Sequence, residues 1–276
     1  MKLLIFGGNG MAGHILVQYF RESASHHVFY TTRDAADNGG ILLDVQDPGK
    51  VEQAVALVRP DVIINAVGVL NQFAERDVIG AYEINGLLPH RLQRAADRYG
   101  ARLIHISTDC VFLGDRGSYT EHDQPDGVSK YALTKALGEV KEGRHLTIRT
   151  SIIGPEIRRD GIGLMEWFLG QTGEVHGYQK VLWNGVTTLQ LAKVIEEVLD
   201  QPLSGLIHLA HPEKVSKHDL LKLMQKVWNK QDVNILPEDA TVLDRTLVST
   251  RSDVAFDLPD YEAMLSELAE WMKQHG

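Results

Sequence analysis

The chain has 276 residues and a single cysteine, Cys110, so it cannot close an internal disulfide. Aromatics make up only 7%, and no apolar run approaches the ~20 residues that a membrane-spanning helix needs. The longest apolar stretch, Val62 to Leu70, is broken by Asn65 and reads as a buried strand with the loop after it. Positive charge is scarce as well. The 28 Lys and Arg against 37 Asp and Glu leave a formal net charge of −9, which argues against a nucleic-acid partner, since such a partner needs a basic face to displace phosphate counterions. The 12 histidines show no His-x-x-x-His or His-Glu-x-x-His spacing, so no metal site is expected. Internal repeats, charge blocks and low-complexity segments are missing too. Met1-Lys2-Leu3-Leu4-Ile5-Phe6 runs straight into glycines without the longer apolar core of a signal peptide, and the expected setting is the reducing cytoplasm, with no membrane partner.

What is present is rhythm. Up to about residue 153, short β-branched runs alternate with amphipathic stretches, the pattern of βαβ units around a parallel sheet buried on both faces. The pattern predicts strands at Lys2–Phe6, His27–Thr31, Gly40–Asp44, Val62–Ala66, Arg102–Ser107 and Leu146–Thr150. It predicts helices near Gly13–Ser23, Val51–Arg59, Asp77–Tyr99 and Ser129–Glu142. Beyond Gly154 the rhythm breaks into a helix near Gly163–Gly170, a hairpin-like stretch through Val175–Trp183, and helices near Leu189–Asp200, Lys217–Trp228 and Tyr261–Gln274. The expected division is residues 1–153 and a smaller lobe over 154–276, with about 186–210 returning to the first unit through a strand at Leu206–Leu209.

The first strand ends in Gly7-Gly8-Asn9-Gly10-Met11-Ala12-Gly13, directly before a helix. Gly7 permits a tight turn, Gly10 lets backbone approach a pyrophosphate, and Gly13 lets the helix pack closely on the strand. The helix start around Met11 then offers unpaired N–H groups to phosphate. The expected fold is therefore α/β, a Rossmann-type doubly wound parallel sheet with a smaller C-terminal substrate lobe. About twenty residues past Gly13 the second strand ends in Thr31-Thr32-Arg33, where an NAD site usually places an acid on the ribose 2′-hydroxyl. Thr32 and Arg33 suit a 2′-phosphate instead, favouring NADPH; if Asp34 reached the ribose, NADH would fit. Asp44 and Val45, at the end of the third strand, fall where an adenine edge would sit, although Asp44 could equally cap a helix. Ala66, Val67 and Gly68 close the fourth strand where a nicotinamide ribose would lie.

Reduction of a ketone by hydride needs a phenol to give a proton, a cation to acidify it and a hydroxyl to hold the carbonyl. Tyr131 and Lys135 stand four apart on one helix face, so the ammonium is expected to draw the phenol's pKa down. Thr108, in Ser107-Thr108-Asp109 at the carboxyl edge of the fifth strand, can hold the developing alkoxide. Each feature alone has a bland reading as an exposed helix pair or a helix cap. Their order on one sheet points to a site.

These residues resemble the extended short-chain dehydrogenase/reductases, and within them the dTDP-4-dehydrorhamnose reductase group of nucleotide-sugar 4-ketoreductases. The likeness rests on Ile104-His105-Ile106-Ser107-Thr108-Asp109-Cys110-Val111-Phe112, on Tyr119-Thr120-Glu121-His122-Asp123-Gln124-Pro125, on Tyr131-Ala132-Leu133-Thr134-Lys135-Ala136-Leu137-Gly138-Glu139, and on Leu146-Thr147-Ile148-Arg149-Thr150-Ser151. The resemblance implies an NADPH-dependent oxidoreductase acting on a nucleotide-linked 6-deoxysugar, with Thr108, Tyr131 and Lys135 catalytic. Thr108, Asp109, Cys110, Asn184 and Thr187 are the expected substrate contacts, although Asn184 and Thr187 could instead form a turn and a helix cap. Helices 77–99 and 129–142 could pair in a homodimer, as they often do in that superfamily. Cys110 and Ala132 depart from the group's usual tyrosine and glycine, as does Trp183-Asn184-Gly185-Val186-Thr187-Thr188 from its usual form, which leaves the sugar and nucleotide open.

Three other readings stand beside this one. A 4,6-dehydratase usually carries glutamate where this chain has Cys110. An epimerase/reductase would pair Cys110 with His176 as acid and base, but that group's cysteine falls at the place of Asp109, and one step along a strand turns a side chain to the opposite face. A regulatory subunit would bind NADP and do no chemistry, against which the intact trio argues.

Overall fold

The computed structural model describes residues 1–23, 25–157 and 161–275. In chain order the strands are β1 Lys2–Phe6, β2 His27–Thr32, β3 Ile41–Leu42, β4 Val62–Asn65, β5 Arg102–Thr108, β6 Leu146–Thr150, β7 Ile152–Ile153, β8 Gly173–Trp183, β9 Val186–Thr187, β10 Gly205–His208, β11 Val215–Ser216 and β12 Val233–Asp244. The α-helices are α1 Met11–Glu22, α2 Pro48–Val58, α3 Asn71–Arg76, α4 Val78–Ala81, α5 Leu88–Tyr99, α6 Lys130–Leu137, α7 Leu164–Leu169, α8 Thr188–Leu199, α9 Lys217–Val227 and α10 Tyr261–His275.

Seven strands form one parallel sheet in the order β10-β6-β5-β4-β1-β2-β3. The order reverses between β1 and β4, which opens a crevice at the carboxyl edge where doubly wound sheets take ligands. Alternate residues of β1 feed two cores: Leu3 and Ile5 pack with α1 and α8 residues such as Ile15 and Ile195, while Leu4 and Phe6 pack with α2 and α5 residues such as Val55 and Leu92. Burial on both faces is why the strands read as continuous apolar runs.

The expected helix over 77–99 is broken in two by a π-helical turn at Tyr82–Leu87. Pro89 has no N–H to give the Asn85 carbonyl four residues back, so the α ladder must shift there. The freed carbonyl lies against α6: a Cβ on Gly138 would stand 2.0 Å from Asn85 O, so only glycine lets the two segments meet. The Asn85 side chain clamps the turn, bonding Val69 N at 2.8 Å, Val69 O at 2.9 Å and Thr134 Oγ1 at 3.1 Å.

Three other expectations differ from what is observed. The third strand shrinks to Ile41–Leu42, and the helix over 129–142 ends at Leu137 with Gly138 as its cap. The hairpin-like stretch near Val175–Trp183 is one 11-residue strand, β8, whose long parallel partner is β12, some fifty residues away. β12 lies at a sheet edge, where Pro237 is tolerated, and with β11 completes a separate three-stranded sheet. Among the described residues no helix is long and apolar enough to cross a membrane.

Candidate active site

The crevice is a cleft of about 420 Å³ whose wall includes Gly7, Gly10, Met11, Thr32, Arg33, Val45, Ala66, Val67 and Gly68 at one end, and Thr108, Asp109, Cys110, Tyr131 and Lys135 at the other. Gly7 has φ +85°, a conformation that favours glycine. Gly13 has no room for a side chain, since a Cβ would lie 1.9 Å from the Gly7 carbonyl oxygen. Gly10 precedes α1 and brings no side chain to its first N–H groups, which leaves them for a ligand phosphate.

The Thr32 hydroxyl is buried and holds the turn, accepting from Asn9 Nδ2 at 3.0 Å and from the Asp34 N–H at 3.0 Å. Thr31 Oγ1 accepts from Gly7 N at 3.1 Å. Arg33 is exposed at the cleft wall, whereas Asp34 turns Oδ1 to the Ala36 N–H at 2.9 Å. Asp44 stands outside the cleft wall: it is exposed and accepts from the Gln46 N–H at 3.0 Å. Nor does it cap α2, a role taken by Asp47, which accepts from the Gly49 and Lys50 N–H groups. Leu43 and Val45, on either side of Asp44, line the cleft in its place.

At the other end, Ser129 caps α6 through the Ala132 N–H and so sets Tyr131 in the first turn, with Lys135 one turn further on. Lys135 Nζ donates to the carbonyl of Ile106 at 2.7 Å. Burial lowers its ammonium to about 8, with Glu139 acting in the opposite direction. Burial pushes the Tyr131 phenol well above its ordinary value, and the negative forms of Cys110 and Asp109 add to the rise, while a hydrogen bond from Thr108 opposes it. Lys135 is not among the groups that shift the phenol, and burial governs it. In a dry pocket the cost of a phenolate exceeds what its surroundings return.

The chain beyond Thr108 does not continue as a strand. Asp109–Val111 form a single 3₁₀ turn capped by Thr108 Oγ1, which accepts from the Cys110 N–H at 3.1 Å and donates to Asp109 Oδ1 at 3.1 Å. Strand alternation fails here, and Asp109 and Cys110 both line the cleft. Burial, with Asp109 beside it, pushes the Cys110 thiol up to about 12, a poor acid or base near neutrality. His176 is exposed on β8 and absent from the cleft wall, so the Cys–His pair of an epimerase is not assembled.

Asn184 and Thr187, expected to touch substrate, turn inward. Asn184 Nδ2 donates to the carbonyls of His211 and Leu247 at 2.9 and 2.8 Å, and its Oδ1 accepts from the Leu247 N–H at 3.0 Å. Thr187 caps α8 through the Gln190 N–H. Their polar groups are spent on pinning chain segments together. Sequence reasoning passed over Asn9, Ser107, Ser151 and Glu156, which also line the cleft. Asn9, between two of the turn glycines, was the one with a visible signal. Among the described residues there is no group of three or more His, Cys, Asp or Glu poised to hold a metal.

The model of the RmlD substrate binding domain family matches residues 1–254. The chain is 35% identical over 147 residues to a dTDP-4-dehydrorhamnose reductase of Mycobacterium tuberculosis, covering 50% of this chain and 44% of that protein. It is 27% identical over 204 residues to the spore coat polysaccharide biosynthesis protein SpsK of Bacillus subtilis, covering 73% and 64%. The matched region thus spans about half the length of the first of these relatives. Among solved structures, a dTDP-4-dehydrorhamnose reductase from Bacillus anthracis in complex with NADP superposes with a TM-score of 0.83 at 21% identity, over 98% of this chain and 99% of that one. A hypothetical dTDP-4-dehydrorhamnose reductase from Sulfolobus tokodaii does so with a TM-score of 0.75 at 29% identity, over 90% and 92%. With the glycine turn, the doubly wound sheet and the match across 1–254 in hand, the chain belongs to the RmlD substrate binding domain family, among the extended short-chain dehydrogenase/reductases.

Proposed function

We propose that the protein is an NADPH-dependent reductase of the 4-keto group of a nucleotide-activated 6-deoxysugar. The observation that carries this reading is the single cleft with a glycine turn and Arg33 at one end and Thr108, Tyr131 and Lys135 at the other. The residues fit the cofactor: glycine edges allow a pyrophosphate to approach, and Arg33 is available for a 2′-phosphate. NADPH held there would supply a hydride to the carbonyl carbon. Tyr131 stands protonated, because burial keeps its phenol high, and gives that proton to the carbonyl oxygen, so hydride plus proton complete the alcohol. The Thr108 hydroxyl can turn its proton from Asp109 to the same oxygen. Lys135 spends one of its three protons on Ile106, leaving two to steady the ribose and the nascent phenolate.

The cytoplasm is the setting that a lone thiol suits. The division near residue 153, with 186–210 returning to the large sheet, is carried as part of this reading. Exposed Ile79, Leu87, Leu133 and Leu137, on or beside α4, α5 and α6, support a homodimer through those helices.

The test follows NADPH absorbance over a panel of nucleotide-linked 4-keto-6-deoxysugars, with Tyr131→Phe as control. One substrate consumed by the native protein and spared by a variant that still binds NADPH is the expected result. If NADPH binds and no panel member is consumed, the reductase reading falls and the non-catalytic regulator takes its place.

A further inference from the structure

Asn9, inside the glycine turn, grips the loop between β2 and β3. Its Nδ2 group donates twice: to Thr32 Oγ1 at 3.0 Å and to Asp37 Oδ2 at 3.0 Å. Thr32 ends β2 and Asp37 follows five residues later, so one amide holds the chain on either side of Arg33. Between those two points the Asp37 N–H closes a turn onto the Asp34 carbonyl at 3.1 Å.

The second oxygen of Asp37 is committed as well. Oδ1 accepts from the Tyr30 hydroxyl at 2.8 Å and from the Gly39 N–H at 3.0 Å. The Tyr30 ring is itself fixed: a Cβ on Gly8 or on Gly40 would stand 2.1 or 2.7 Å from it, and the Arg21 guanidinium lies 4.9 Å from its centroid. An acid that accepts from the ribose 2′-hydroxyl marks an NAD site. Here Asp37 is outside the cleft wall with both oxygens turned to the protein, and Arg33 is the side chain of this loop that reaches the cleft.

An arginine on an untethered loop must give up backbone freedom when it takes hold of a phosphate. With both flanks of Arg33 tied to the glycine turn, that loss is taken at folding and not at binding.

We propose that Asp37, acting through Asn9, is a positioning residue for the 2′-phosphate of the cofactor: it sets Arg33 in register with the glycine turn and so supplies part of the preference for NADPH over NADH. This rests on the NADPH reading above and adds to it that the preference depends on how the loop is attached as well as on the charge it carries.

The experiment titrates the native protein, Asp37→Ala, Arg33→Gln and the double variant with NADPH and with NADH, following cofactor fluorescence. Asp37→Ala should weaken NADPH about fivefold and leave NADH within about twofold, so the ratio of the two affinities falls. General loosening of the loop would weaken both cofactors alike. In the Arg33→Gln background the same substitution should change NADPH by less than about twofold, because the group it positions is gone. Tyr30→Phe removes one bond to Asp37 from outside the cleft wall; it should shift the ratio the same way by a smaller factor, and it decides the matter if Asp37→Ala does not fold. Equal losses for the two cofactors, a loss for NADH alone, or Asp37 and Arg33 losses that add in full overturn the proposal. A native preference for NADPH that survives intact in Asp37→Ala overturns it while leaving the NADPH reading in place, whereas a native protein that prefers NADH overturns both.

Discussion

Glu139 and Arg149 hold each other in a fork at the end of α6, with neither side chain exposed: Arg149 Nε donates to Oε1 at 2.5 Å and Nη2 to Oε2 at 2.7 Å. Ser107 Oγ adds a third bond to the carboxylate at 3.0 Å, so one acid ties the end of α6 to β5 and β6. Removing one partner strands a buried charge. Glu139→Leu should cost about 3–5 kcal/mol in chemical denaturation, and adding Arg149→Met should recover much of the loss. A double variant no more stable than the single one would show that the pair is not the cause.

The Lys135 ammonium supplies a pH signature. Its folded value is about 8 against 10.5 for the ordinary group. Between those values the unfolded chain holds a proton that the folded protein releases, so this group's penalty is full below pH 8 and fades as pH rises through the window. Lys135→Met has no such titration. Its stability relative to the native protein should therefore decline from pH 8 to 10, measured by denaturant unfolding at each pH. A constant difference across that range would contradict the buried charge.

Two glycines three residues apart, at the start of the first helix, should separate folding from binding. At Gly13 a Cβ would meet backbone at 1.9 Å, and at Gly10 the nearest atom would be 3.3 Å away. Gly13→Ala should lower Tm by several degrees, roughly what a loss of 1–3 kcal/mol produces. Gly10→Ala should melt near the native temperature and yet bind NADPH at least about tenfold more weakly, because its methyl occupies the approach of the pyrophosphate. Equal effects of the two on melting would refute the distinction.

Arg33 is exposed at the cleft wall while Asp34 is turned into its own loop. Arg33→Gln should weaken NADPH by about one order of magnitude through loss of a charged fork and leave NADH nearly unchanged. Parallel fluorescence titrations with both cofactors measure this. A uniform loss for both would mean that the arginine steadies the loop and does not read a phosphate.

The sequence spoke most clearly where backbone geometry forces residue type. The turn Gly7 to Gly13 and the pair Tyr131 and Lys135 depend on neighbours at most six positions away, and both could be read directly. The alternation of strands and helices over the first 150 residues was readable for the same reason, since each βα unit is local; the order of strands in the sheet was not. Asn184 and Thr187 misled because a polar residue before a helix looks the same whether it faces a ligand or a carbonyl; only the distant Leu247 and His211 decide. The partner of β8 was hidden likewise, because β12 joins it across the fold and carries Pro237, an unpromising strand residue. The turn at Asp109 misled by chemistry: the Thr108 hydroxyl, capping Cys110, ends the strand one residue before alternation would have mattered.

The last strand of the large sheet, β10, is threaded beside β6 only after residue 204 has been made. The outer face of α1, the helix that begins at the glycine turn, is covered by α8, with Tyr19 bonded to Glu196. A ribosome that has released the first 150 residues has therefore delivered every group of the glycine turn and the Thr108–Tyr131–Lys135 trio, but not the cover that keeps them in place. Nascent chains of that length should bind cofactor poorly and call on chaperones, and binding competence should appear as a late event of synthesis, once the chain has doubled back on its own beginning.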